Sequence, residues 1–251
     1  MLTAPQNQAQ SPGFIRERIA AAARAAGRDP AAVTLIGVAK SQPLSRIVAA
    51  VASGLTDIGE NYLQEAREHR AALPERPLCW HFIGALQGNK TRPVAELFDW
   101  VHTIDRLKIA ARLAAQRPSA MPPLEVCIQV RLGGEAIKAG VEPRELPALA
   151  ERIAGLPRLA LRGLMCLPPE EADRARQRHW FGELRRLLES LNAAGHQLDA
   201  LSMGMSNDFE SAIAEGATHV RIGTALFGER PPGQTHYNPC DSPGNSGVCD
   251  A

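Results

Sequence analysis

Two rhythms of apolar residues alternate along this chain: short, almost wholly apolar runs, and longer stretches in which apolar positions recur with helical spacing. Runs of the first kind predict strands buried on both faces, and stretches of the second kind predict amphipathic helices. A helix is predicted over Pro12 to Ala26, stopped by Gly27, and a first strand over Thr34 to Ala39. Further strands are predicted at Thr56 to Ile58, Trp80 to Leu86, Trp100 to Ile104, Leu124 to Val130, Ala160 to Leu167, Leu198 to Met203 and His219 to Gly223. Helices fall between them at Leu44 to Ser53, Tyr62 to Leu73, Lys90 to Leu97, Arg106 to Arg117, Arg144 to Ala154, Glu171 to Ala194 and Asp208 to Glu215.

Strands that alternate with helices in this way imply a parallel sheet covered on both faces. Eight such strands fit a closed barrel better than an open doubly wound sheet, where about five or six are usual. The predicted fold is therefore α/β: a single (β/α)8 TIM barrel, with the extra N-terminal helix covering its bottom or packing beside it. Residues 1–11 are expected to be a flexible N-terminus, and residues 12–230 the barrel. Residues 231–251, rich in Pro, Gly, Ser and Asn, bury too little to offset their ordering entropy and are expected to be a disordered tail.

Charge narrows the partners. The formal net charge of the 251-residue chain is +1, with acidic and basic residues interspersed, so no basic stripe points to nucleic acid or to an anionic membrane. The start lacks a signal-peptide pattern and no stretch approaches the length of a spanning helix, so a cytoplasmic protein with a small-molecule partner is expected. The five cysteines form no CxxC pair and three of them lie in apolar strand-like runs, so they are expected to be structural or incidental, and His81 and His102 show no metal-binding spacing, so no metal is expected. Gly-rich nucleotide-binding signatures are missing.

One skew is chemically suggestive. Only four of the 28 basic residues are lysines, at Lys40, Lys90, Lys108 and Lys138. A guanidinium cannot form an imine, whereas a desolvated amine can. Active sites of such barrels lie at the C-terminal ends of the strands. Lys40 follows the first predicted strand directly, which makes it either a Schiff-base lysine or a solvated strand-end charge. Ser202 to Ser206 and Arg221 to Thr224 follow strands seven and eight, where loops and helix N-termini commonly bind phosphate. Simple helix capping by Ser206 and a plain turn at Gly223 remain open at this point. Arg221 sits where its guanidinium can meet a ring nitrogen in the barrel mouth, or else pair with an acid such as Glu60.

The runs GVAKSQP from Gly37, DIGENYLQEA from Asp57, WHFIGALQGNK from Trp80, HTIDR from His102, RGLMCLP from Arg162, LSMGMSNDFE from Leu201 and VRIGTALFGER from Val220 resemble the pyridoxal phosphate homeostasis protein family, in order and at matching spacing. That resemblance implies a fold like the N-terminal barrel of alanine racemase, with pyridoxal 5′-phosphate held as a Schiff base on Lys40. It implies phosphate contacts at Ser202, Ser206, Gly223 and Thr224, Arg221 near the pyridine nitrogen, and Asn61 beside the ring. Lys90 and Lys138 match lysines that would make secondary cofactor contacts. At the fifth strand QVRLGGEAIKAG differs from the Asn-containing version usual in the family, so the resemblance assigns Arg131 no role. Alanine racemase takes a second acid/base from an added domain, while the tyrosines here are Tyr62 and Tyr237 alone, so a monomeric carrier without catalytic residues is expected. It would buffer the cofactor or deliver it by transient contact with apo-enzymes that use it; an amino-acid racemase on the same barrel is the rival reading.

Overall fold

A computed structural model describes residues 10–74, 76–133 and 139–230. Eight parallel strands close into a barrel in chain order: β1 (Thr34–Val38), β2 (Asp57–Glu60), β3 (Cys79–Phe82), β4 (Trp100–Ile104), β5 (Leu124–Val130), β6 (Leu159–Cys166), β7 (Ala200–Ser202) and β8 (His219–Ile222). β8 pairs back onto β1 through Leu35↔Val220 and Ile36↔Arg221, which leaves no open sheet edge. The α-helices are α1 (Pro12–Ala25), α2 (Leu44–Ala52), α3 (Leu63–Ala72), α4 (Thr91–Leu97), α5 (Leu107–Gln116), α6 (Leu146–Ala154), α7 (Arg174–Ala193), α8 (Phe209–Ala214) and α9 (Thr224–Phe227).

The helix-facing sides of the strands build the main core with Ile47, Ile109, Leu113, Phe98, Phe181 and Phe209, all but fully buried. Burying each such side chain contributes on the order of 2 kcal/mol. α1 packs beside the barrel on α8: Arg18 pairs with Glu210 and lies over the Phe209 ring, and Arg28 Nη1 donates to the Ile213 carbonyl at 2.8 Å. α7 begins later than its apolar spacing suggests, because the Asp173 side chain accepts from the Arg176 N–H at 2.9 Å and so caps the helix there.

β3 ends at Phe82, well before Leu86, for a packing reason. A Cβ on Gly84 would lie 2.1 Å from the carbonyl oxygen of Asn61, so the chain leaves the ladder where it brushes past the end of β2. α9, within RIGTALFG, is a helix that apolar spacing did not reveal, since four residues are too few for a helical period to register. The N-terminal segment up to residue 9, Lys138 and the tail from residue 231 lie outside the described residues. Among the described residues, no helix is long and apolar enough to cross a membrane.

Candidate functional site

The C-terminal ends of β1, β6, β7 and β8 open onto one cleft of about 810 Å³, lined among others by Val38, Pro168, Ser206, Asp208, Arg221, Gly223 and Thr224. The loop after β7 turns sharply at Gly204, where φ is +93° and a Cβ would meet that of Ala212 at 2.7 Å. The Asp208 carboxylate secures the same loop by accepting from the Met205 N–H at 2.5 Å. Ser206 then reaches the start of α9, where its Oγ accepts from the Ala225 N–H at 3.3 Å and keeps its own hydrogen for donation to a ligand. Ser206, Gly223 and Thr224 are thus brought together as expected.

Ser202 is placed differently. It is fully buried, and its hydroxyl is engaged by Arg221 Nη1 at 2.8 Å and by His102 Nδ1 at 2.8 Å. The cause is the period of two along a strand: Ser202 is the last residue of β7 and points into the barrel, whereas Ser206 lies past the turn. Arg221 is buried too, and its Nη2 donates to the Cys166 carbonyl at 2.9 Å. Burial lowers its pKa from the ordinary value, yet guanidinium remains the protonated form at neutral pH.

The alternative pairing of Arg221 with Glu60 does not occur. Glu60 is bound by His69 Nδ1 at 2.6 Å, both groups being buried. Burial raises the Glu60 carboxyl to about 7, only partly opposed by the bond from His69. For His69, burial lowers the pKa, but the Glu60 bond and charge outweigh it and the net shift is upward. Since both folded values lie above the unfolded ones, the stability this pair contributes is present below about pH 4.5 and is lost as the pH rises through 7. Unfolding by denaturant between pH 5 and 8 is therefore expected to show a decline that Glu60→Gln flattens by on the order of 2 kcal/mol; parallel profiles in the two proteins would refute the assignment.

β1 stops at Val38, and Lys40 stands in the turn beyond it, half-buried and outside the cleft lining. Ser41 takes the left-handed φ of 54°, and its N–H donates to Glu65 Oε2 at 3.0 Å, which sets the direction in which the chain leaves the strand. The Lys40 Nζ lies 5.3 Å from the centroid of the Tyr62 ring. Asn61, at the neighbouring strand end, has a buried side-chain oxygen without a hydrogen-bond partner, a polar atom that a ligand would satisfy. Lys90 is exposed at the N-terminus of α4, away from the cleft lining. Arg131 pairs with Glu142. Sequence reasoning missed Asp208, Gln177 and Arg230 on the cleft wall; the Asp at the N-cap of α8 was a signal for the first, but nothing local marks the others.

Cys79, Cys127 and Cys166 are free thiols, all pushed up by burial, so they are poor nucleophiles. Asp57, Cys79 and His81 bring potential metal-ligating atoms within 4.8 Å of one another. The Asp57 and His81 donors are committed to each other at 3.1 Å.

An amine at a strand end, hydroxyl and N–H donors on two loops, a buried cation and an unpartnered amide oxygen form the donor set that a phosphorylated aromatic aldehyde needs. The class is defined by the family model described as alanine racemase, N-terminal domain, which matches residues 13–231. A Pseudomonas aeruginosa protein named pyridoxal phosphate homeostasis protein is 57% identical over 233 residues, covering 93% of this chain and 98% of the relative. An Escherichia coli protein of the same name is 48% identical, covering 86% of this chain and 94% of its own. The solved structure of PipY from Synechococcus elongatus with PLP bound superposes with a TM-score of 0.76 at 37% identity, covering 85% of this chain and all of that one. The chain belongs to the alanine racemase N-terminal domain family, and within it to the pyridoxal phosphate homeostasis proteins.

Proposed function

We propose that this protein binds pyridoxal 5′-phosphate at the cleft, with Lys40 as the residue that links to its aldehyde, and that it buffers or delivers the cofactor without turning over an amino acid. Lys40 would hold the cofactor through its Nζ, a primary amine able to condense with an aldehyde with loss of water. Ser206, Gly223 and Thr224 take the phosphate, Arg221 faces the ring nitrogen, and Asn61 satisfies its free oxygen at the ring edge. When bound, the cofactor supplies an electrophilic aldehyde; the chain supplies anchoring and limits its free concentration. The observation that carries this reading is the convergence of the β7 and β8 loops with the end of β1 on a single cleft.

Homeostasis relatives that cover the whole barrel support a carrier in place of a racemase. The protein is expected in the cytoplasm as a monomer that meets apo-enzymes transiently; Lys90 and Lys138 are secondary contacts for cofactor in transit. The test is titration of the protein with pyridoxal phosphate, followed by borohydride reduction and peptide mapping. A reducible visible band mapped to Lys40, with no racemisation of amino acids above background, is expected; turnover of an amino acid would overturn the carrier assignment. Ser206→Ala removes one phosphate donor together with the acceptor for the Ala225 N–H, and should weaken binding about tenfold, or about 1.4 kcal/mol. Unchanged affinity in that variant would move the phosphate elsewhere.

A further inference from the structure

The barrel interior holds a continuous polar chain that no sequence motif announced. It runs from Arg221 Nη1 to Ser202 Oγ at 2.8 Å, from Ser202 Oγ to His102 Nδ1 at 2.8 Å, from His102 Nε2 to His81 Nδ1 at 3.0 Å, and from His81 Nε2 to Asp57 Oδ1 at 3.1 Å. β4 and β7 are not neighbours in the sheet, so the bond between His102 and Ser202 crosses the inside of the barrel. Arg221, Ser202, His102 and His81 are almost fully excluded from water, while the Asp57 side chain, on the first residue of β2, is 19% exposed.

With both imidazoles neutral, every proton on this path has one possible place. Arginine can only donate, so Ser202 accepts from it; ionised Asp57 can only accept, so His81 donates from Nε2. A neutral imidazole donates once and accepts once. His81 Nδ1 therefore accepts from His102 Nε2–H, and His102 Nδ1 accepts the Ser202 hydroxyl hydrogen. Burial, followed by the nearby His81, His219 and Arg221, holds the His102 imidazole well below its ordinary pKa, in keeping with the neutral form. Desolvation pushes the Asp57 carboxyl up, but hydrogen bonds from His81 and Thr56 outweigh it and keep the carboxylate ionised.

We infer that Asp57, His81, His102 and Ser202 form a one-way hydrogen-bond chain that positions Arg221, so that a group at the N-terminal end of β2 sets how the guanidinium is presented to the cleft at the opposite strand ends. Ser202 and His102 are positioning residues in this scheme: they orient a hydroxyl whose lone pairs hold one edge of the guanidinium, while the Cys166 carbonyl holds Nη2, so that only the N–H donors not engaged by these two partners are left for a ligand. The consequence for the cofactor rests on the reading of the cleft given above; the direction of the chain does not.

Two measurements separate these. Long-range 1H–15N correlation of histidine-labelled protein without cofactor reads the tautomers directly. His81 and His102 are both expected to be neutral with the proton on Nε2; a proton on His102 Nδ1, or a doubly protonated His81, would reverse the chain and overturn the inference. Pyridoxal phosphate is then titrated into the wild type, Asp57→Val and Asp57→Asn, the last of which retains an acceptor for His81. A shifted cofactor absorption spectrum and about tenfold weaker binding are expected for Asp57→Val, with both restored in Asp57→Asn. If the wild type binds cofactor and Asp57→Val matches it in spectrum and affinity, the positioning role is wrong. If the wild type binds none, the cofactor reading fails while the tautomer result stands on its own.

Discussion

Lys40→Arg is expected to abolish the reducible chromophore altogether and to weaken pyridoxal phosphate binding by about 100-fold, or about 2.8 kcal/mol. The substitution keeps the positive charge at the end of β1, so purely electrostatic attraction for the phosphate persists. What disappears is the nucleophile: a guanidinium stays protonated and has no lone pair to give an aldehyde. Ser206 and Thr224, the phosphate donors proposed above, follow different strands and remain intact, so residual non-covalent binding should survive. Absorbance titration with equilibrium dialysis measures both quantities. A surviving reducible band in Lys40→Arg would show that another lysine, such as Lys90 or Lys138, carries the link.

The second large effect concerns the fold around the site. In Gly84→Ala the new methyl group would sit 2.1 Å from the Asn61 carbonyl oxygen and 2.8 Å from its carbonyl carbon, both backbone atoms that cannot swing aside. Either β3 or the end of β2 must shift, at an expected cost of about 3 kcal/mol or more in chemical denaturation. Because Asn61 carries a buried unpartnered oxygen and directly precedes Tyr62, whose ring centroid lies 5.3 Å from Lys40 Nζ, cofactor affinity should fall with stability. Gly88→Ala provides the control, as a Cβ there meets nothing within 4 Å and should leave stability within about 1 kcal/mol. Equal effects from the two substitutions would show that helical or turn propensity, and not the contact with Asn61, governs this loop.

How much of this was legible beforehand depends on how local each feature is. Nearly continuous apolar runs marked all eight strands, and the polar residues that follow them marked the face where ligands bind. That Ser206, Gly223 and Thr224 come together on one cleft was readable because a loop and a helix start announce themselves within a few residues. The engagement of Ser202 by Arg221 and His102 was hidden because residues that share one short loop motif can point to opposite sides of a strand end, and only the strand's last ladder bond decides which. The end of β3 at Phe82 was hidden for a similar reason, since Gly84 is dictated by Asn61, distant in sequence.

By itself the sequence determined the order of βα units, the buried faces of the helices, and the gathering of Lys40 and the two phosphate-type loops at one end of the strands, because each follows from local periodicity and turn chemistry. Tertiary structure alone decided what lies across from what. Alternation tells which side of a strand a residue occupies but not which other strand it will face, and that choice waits on the pairing of β8 with β1 and the register shifts along β4, β5 and β6. Closure therefore turned His81 and His102, each unremarkable in its own strand, into links between Asp57 and Arg221.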